Sequence, residues 1–140
     1  MRLATVRQDG RDGRLVVVAP DGRHCAMAPV STLQQAVEDW PRWAPRLAAI
    51  QEFPLELAAL TLAAPLPRAW QWLDGSAFPS HGELMDRAFG RKTDTSKGLL
   101  MYQGLSDQFY GTGDAVPFPD ESLGIDFEGE FAVITDDVPM

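Results

Sequence analysis

Three acidic residues near the end of the chain carry the clearest chemical potential. They sit in the run Ile125-Asp126-Phe127-Glu128-Gly129-Glu130-Phe131-Ala132-Val133-Ile134. This run is the strongest strand pattern in the sequence. Side chains on a strand alternate between faces, so Phe127, Gly129, Phe131 and Val133 share one face and Asp126, Glu128 and Glu130 the other. Carboxylates in a row repel one another unless solvent or a cation offsets them. Hard divalent cations such as Mg²⁺ and Ca²⁺ prefer oxygen ligands, and two carboxylates one residue apart can converge on one ion. The same pattern also suits a solvated sheet edge whose charges block aggregation.

A second cluster lies upstream, Asp74-Gly75-Ser76-Ala77-Phe78-Pro79-Ser80-His81-Gly82-Glu83. Glycine and proline keep it irregular, which predicts a loop beside a strand. Histidine is suited to proton transfer near neutral pH, because unperturbed imidazole has a pKa of about 6.5. A loop histidine can equally be a plain surface or hydrogen-bonding residue. The single cysteine, Cys25, excludes an intramolecular disulfide and reads as a small apolar strand residue. That cysteine usage fits a reducing cytoplasm.

These residues need elements to position them. Leu3 to Val6 and Leu15-Val16-Val17-Val18 are β-prone, and His24 to Ala28 is a weaker third strand. Asp9-Gly10, Asp12-Gly13 and Pro20-Asp21-Gly22 supply the turns. Ser31, with Gln34 at capping-box spacing, predicts a helix start. Leu33, Val37 and Trp40 follow at helical spacing, Pro41 forces a kink or restart, and Trp43, Leu47 and Ile50 continue the stripe. Trp40 and Trp43 read as core anchors. The prolines at 65 and 67 mark an extended stretch and a boundary. Beyond it, His81 to Phe89 can form a short helix and Arg91 to Gly98 reads as a loop.

Composition narrows the function classes. The chain has 140 residues, about one domain's length, and a formal net charge of -8 from 20 acidic and 12 basic residues. Without a Lys/Arg run there is no cationic face for nucleic acid. No apolar run reaches the ~20 residues of a membrane-spanning helix, and the N-terminus has no signal-peptide core. A cytoplasmic protein is expected, with neither nucleic acid nor membrane as partner. An organic-acid substrate would need a local cation against the acidic surface.

Three segments together resemble the fumarylacetoacetate hydrolase family. They are residues 64–76, Ala-Pro-Leu-Pro-Arg-Ala-Trp-Gln-Trp-Leu-Asp-Gly-Ser, then Met101-Tyr102-Gln103-Gly104-Leu105-Ser106-Asp107, then residues 124–134. They occur in the family's order, and the resemblance covers nearly the whole chain. It implies an α+β fold: a small α/β N-terminal domain over residues 1–65, followed by the beginning of a mainly-β catalytic roll over 66–140. By the same resemblance, Glu128 and Glu130 match the family's metal ligands and Asp74 a further one. His81 matches the histidine that deprotonates water, and Glu83 sits near an acidic partner for it. Tyr102 matches a substrate-contacting position, and Arg87 or Arg91 is available for a substrate carboxylate.

The family's metal site also uses an aspartate downstream of the Glu128–Glu130 strand. Asp136 and Asp137 lie too close to match it and read as a turn, so the resemblance implies a truncated catalytic domain. The implied activity is metal-dependent hydrolysis of a carbon–carbon bond in a β-diketo acid, with Mg²⁺ first among the metals and Mn²⁺ or Ca²⁺ as alternatives. Isomerase, decarboxylase and hydratase-like members share the same site logic. A homodimer is implied for the full-length form, and a non-catalytic fragment with a structural or assembly role is the contrasting class.

Overall fold

The computed structural model describes residues 1–8, 10–92, 94, 98 and 100–135. The fold is α+β. Its first part is an antiparallel sheet in the order β1 (Arg2–Val6), β2 (Arg14–Val18), β3 (His24–Met27), β4 (Leu55–Glu56). Leu15-Val16-Val17-Val18 forms the centre because both of its faces are covered, which is why the run is apolar without alternation. Leu15 and Val17 face one way, into a cluster with Ala28, Val30, Leu33, Ala36 and Leu47. Val16 faces the other way, beside Val6 and Cys25, and is roofed by Leu55, Leu57, Leu60 and Leu62.

The β1–β2 turn requires glycine at position 13. Its φ is +61°, and a Cβ there would lie 2.5 Å from the Val6 carbonyl oxygen. The β2–β3 turn is held by Asp21, whose carboxylate accepts the backbone N–H of Arg23 at 2.8 Å and of His24 at 3.2 Å. Asp9, expected to help form the first turn, lies outside the described residues.

Two helices cover one face, α1 (Leu33–Glu38) and α2 (Trp40–Ala48). The expected cap is displaced by one residue. Thr32, not Ser31, is the N-cap, and its hydroxyl accepts the Gln35 N–H at 3.1 Å. Gln34 instead donates to Glu38 one turn on, at 2.8 Å. A cap must sit one residue before the first helical φ/ψ, and the helix begins at Leu33 because Leu33 is the residue that reaches the core. Pro41 does restart the helix, standing in the first turn of α2 where its missing N–H costs nothing. Trp43 packs against the core, but Trp40 is 39% exposed and is not a core anchor. The restart places Trp40 at the first position of α2, at the rim of the packed face.

The second part is smaller in regular structure. Strands β5 (Leu73–Ser76) and β6 (Leu100–Gln103) pair antiparallel, and α3 (Pro79–Phe89) lies between them in sequence. Helix α3 starts two residues before His81 and ends at Gly90, which takes the left-handed conformation. The expected loop from Arg91 to Gly98 falls partly outside the described residues, as do Asp136 and Asp137.

The expected strand from Ile125 to Ile134 is not formed. Residues 125–134 have no regular structure, and Phe127 and Phe131 are 93% and 98% exposed. Alternation specifies which side chains would share a face. It supplies no neighbouring strand, and a strand exists only where a backbone partner takes its N–H and C=O groups.

Residues 104–114 return from β6 across the first part and fasten the two together. Arg7 Nη2 contacts both Asp114 carboxylate oxygens at 2.7 Å. The Arg68 fork grips Asp12 at 2.6 and 2.8 Å. Arg11 donates to the Asp107 carbonyl at 2.9 Å, and the Phe109 N–H donates to the Pro67 carbonyl at 2.8 Å.

Candidate functional site

The β5–β6 ladder decides which candidate residues meet. In its register Asp74 stands opposite Tyr102. Residues directly opposite on neighbouring strands have side chains on the same face, so the Tyr102 phenol and the Asp74 carboxylate stand on one side of the ladder. Trp72 braces the pair, its ring edge-on to Tyr102 with centroids 5.8 Å apart. The hydrogen bond to Asp74 holds the Tyr102 phenol above its usual pKa. Burial adds to this, and so do the charges of Asp74, Glu130 and Glu128. Glu128 and Glu130 are exposed and belong to no strand.

His81 and Glu83 lie in the first half of α3, both exposed, on the short helix expected from His81 to Phe89 and not on a loop beside a strand. The reason is local: Pro79 fits the first helical turn, where its fixed φ and missing N–H are no handicap. Two residues apart on a helix, His81 and Glu83 point to different sides, so Glu83 does not orient the imidazole. Arg87 donates to the Glu83 carbonyl within its own helix at 3.3 Å. The Arg91 guanidinium lies over the Phe89 ring, 5.4 Å from its centroid. Asp126 accepts the N–H of Phe127 at 2.8 Å.

The donor set is all oxygen, which suits a hard cation. As placed, however, it does not close: among the described residues, no three His, Cys, Asp or Glu side chains are grouped so that they could hold a metal ion. The structure joins Asp74 to Tyr102. It does not bring His81 or Glu83 to that pair.

Two polar arrangements stand outside these expectations. Asp21 Oδ2 lies 2.7 Å from His24 Nδ1, and this contact, ahead of the N–H groups of Arg23 and His24, lowers the Asp21 pKa to about 2. The signal was present in Pro20-Asp21-Gly22-Arg23-His24, since an aspartate opening a turn reaches back to the residues after it. The second is a cleft at the junction of the two parts, lined by Arg7, Arg11 and Arg68. No local motif announces it, because its arginines are far apart in sequence. Cys25 is buried as expected, and burial pushes its thiol pKa up.

Among the described residues no helix is long and apolar enough to cross a membrane. A comparison with curated proteins finds no match. Residues 1–68 match the family model described as fumarylacetoacetase N-terminal domain 2. That match spans the four-stranded sheet, α1, α2 and Arg68 of the junction, and it supports a fumarylacetoacetase-family N-terminal part in this chain.

Proposed function

We propose that this chain is the N-terminal part of a metal-dependent hydrolase that cleaves a carbon–carbon bond in a β-diketo acid. The observations that support the reading are the β5–β6 register that sets Asp74 opposite Tyr102 and the match of residues 1–68 to fumarylacetoacetase N-terminal domain 2. Asp74, Glu128 and Glu130 are the donors proposed for a divalent cation, Mg²⁺ first and Mn²⁺ or Ca²⁺ otherwise. Closing them on one ion requires residues 125–135 to approach the β5–β6 ladder.

The residues of the chain supply the following. His81 accepts a proton from water, whose oxygen adds to a substrate carbonyl carbon. The bond from that carbon to its neighbour then breaks, leaving a carboxylic acid and an enolate that takes up the proton. Tyr102, poised by Asp74, contacts the substrate oxygens. An isomerase, decarboxylase or hydratase-like activity would use the same residues. A structural or assembly role, with homodimer formation, is favoured by a separate observation: Leu100, Met101, Ile125, Phe127 and Phe131 are all exposed.

Calorimetric titration of Mg²⁺ and Mn²⁺ into the chain tests the carboxylate assignment. Saturable binding that disappears in Glu128→Gln/Glu130→Gln supports it. Equal binding by the double variant removes both residues from the site.

A further inference from the structure

The junction cleft has a volume of about 250 Å³, and its wall is built from groups distant in sequence. Gly10, Arg11 and Gly13 come from the β1–β2 turn, Ala63, Pro67 and Arg68 from the linking stretch, and Asp107, Gln108, Phe109 and Asp114 from the returning segment. A Cβ on Gly10 would meet no atom within 4 Å, so that side of the turn faces open space.

The charges on this wall are unequally committed. Arg7 is neutralised by Asp114 and Arg68 by Asp12, each through two short contacts. Arg11 is different. It makes one hydrogen bond, to a main-chain carbonyl, and no ion pair with a described carboxylate. A guanidinium carries five N–H donors, so most of the Arg11 fork is unspent. The Asp107 carboxylate is unspent as well: its backbone oxygen receives Arg11, and no described side chain bonds its carboxylate. Among the described residues that line the cleft, Arg11 and Asp107 thus carry charges with no ion-pair partner, and Gln108 and Phe109 line it beside them.

We propose that this cleft binds a small zwitterion of the α-amino-acid type, its carboxylate on the Arg11 guanidinium and its ammonium on the Asp107 carboxylate. A simple anion meets Asp107 and the chain's net charge of -8; a zwitterion is matched at both ends and feels no net long-range repulsion. A guanidinium fork fits a carboxylate with two parallel hydrogen bonds. The volume lies just under the ordinary range for ligand pockets, about 300–1,000 Å³, which selects a small side chain. The site is independent of the proposed carboxylate site in the second part.

The test is titration of the full chain with L-alanine, propionate and ethylamine at matched ionic strength. The signals followed are the backbone N–H groups of Gly10 and Gly13 and the Arg side-chain N–H groups by NMR. The expected result is saturable shifts with L-alanine, with a dissociation constant of about 1 mM. Propionate and ethylamine, each lacking one charge, should bind at least ~10-fold more weakly, which corresponds to about 1.4 kcal/mol. Asp107→Asn keeps the main-chain carbonyl that Arg11 uses and should weaken L-alanine binding to the level of propionate. Propionate binding as tightly as L-alanine would overturn the zwitterion assignment. The absence of any saturable shift in the unaltered chain would overturn the site itself.

Discussion

The two parts of this chain contain similar kinds of residues and treat them in opposite ways. Every buried hydrophobic side chain among the described residues lies between Val6 and Ala64. From Trp70 onward the large apolar side chains Leu73, Phe78, Leu84, Phe89, Leu100, Leu105, Phe127 and Phe131 are all exposed. The first part succeeds because its sheet has two covered faces. Its helices occupy one side and the 55–62 segment the other, so each apolar residue finds a partner. Among its described residues the second part has a two-stranded ladder, one α-helix and a single 3-10 turn at Glu121–Leu123, too few surfaces to enclose a core. Apolar composition is therefore not a core. A core needs a second layer to close upon it.

The largest expected effect separates the parts directly. Leu47 is fully buried, and Leu47→Ala should cost about 2–5 kcal/mol, the transfer term plus a cavity. Phe131→Ala removes a larger side chain but should change stability by less than ~0.5 kcal/mol, because that side chain is already in water. Urea unfolding of the two variants decides it. A Phe131→Ala loss as large as that of Leu47→Ala would mean that the second part is also packed.

A smaller contrast concerns glycine. Gly13→Ala forces a Cβ to 2.5 Å from the Val6 oxygen at positive φ and should cost about 1–3 kcal/mol. Gly129→Ala meets no atom within 4 Å and should be close to neutral. Thermal melting of both variants measures the difference.

The smallest effect is a pH dependence at the junction. Asp12 is held below its ordinary pKa mainly by the hydrogen bond from Arg68. Asp114 is held below its own mainly by the Gly111 N–H, with Arg7 adding to it. For a carboxyl lowered in the folded state, the stabilisation is fully present above the unfolded value of about 4. It is lost as pH falls through the lowered folded value. Both groups are at the surface, so the effect should be modest. Hydrogen exchange between pH 6 and pH 3 should show residues 104–114 losing protection before the β1–β2–β3 sheet does. Simultaneous loss would show that the junction is not a separate unit.

Much of the first part was legible from residue order alone. The three strands, the helix restart at Pro41 and the burial of Cys25 follow from local periodicity and turn chemistry, which act over a few residues. The cap shifted from Ser31 to Thr32 because adjacent hydroxyl residues are equally able to cap, and the docking of Leu33 selects between them. Trp40 failed as a core anchor for a related reason: helical spacing gives a stripe, not its width. In the second part the alternation from Ile125 to Ile134 was real, but no strand follows without a pairing edge.

The candidate site divides in the same way. Residue chemistry alone singled out the clusters that hold Asp74, His81, Glu128 and Glu130, since carboxylates and imidazole move protons and hold hard cations, and the family resemblance added Tyr102. Only the β5–β6 register decided that Asp74 meets Tyr102, and only the start of α3 at Pro79 turned Glu83 away from His81. The junction cleft belongs wholly to tertiary structure. Arg7, Arg11 and Arg68 are scattered along the chain, and nothing local brings them to Asp107 and Asp114. Local sequence sets what each residue can do. Which residues share a space is set by the long-range pairing of strands and charges, which a linear reading does not contain.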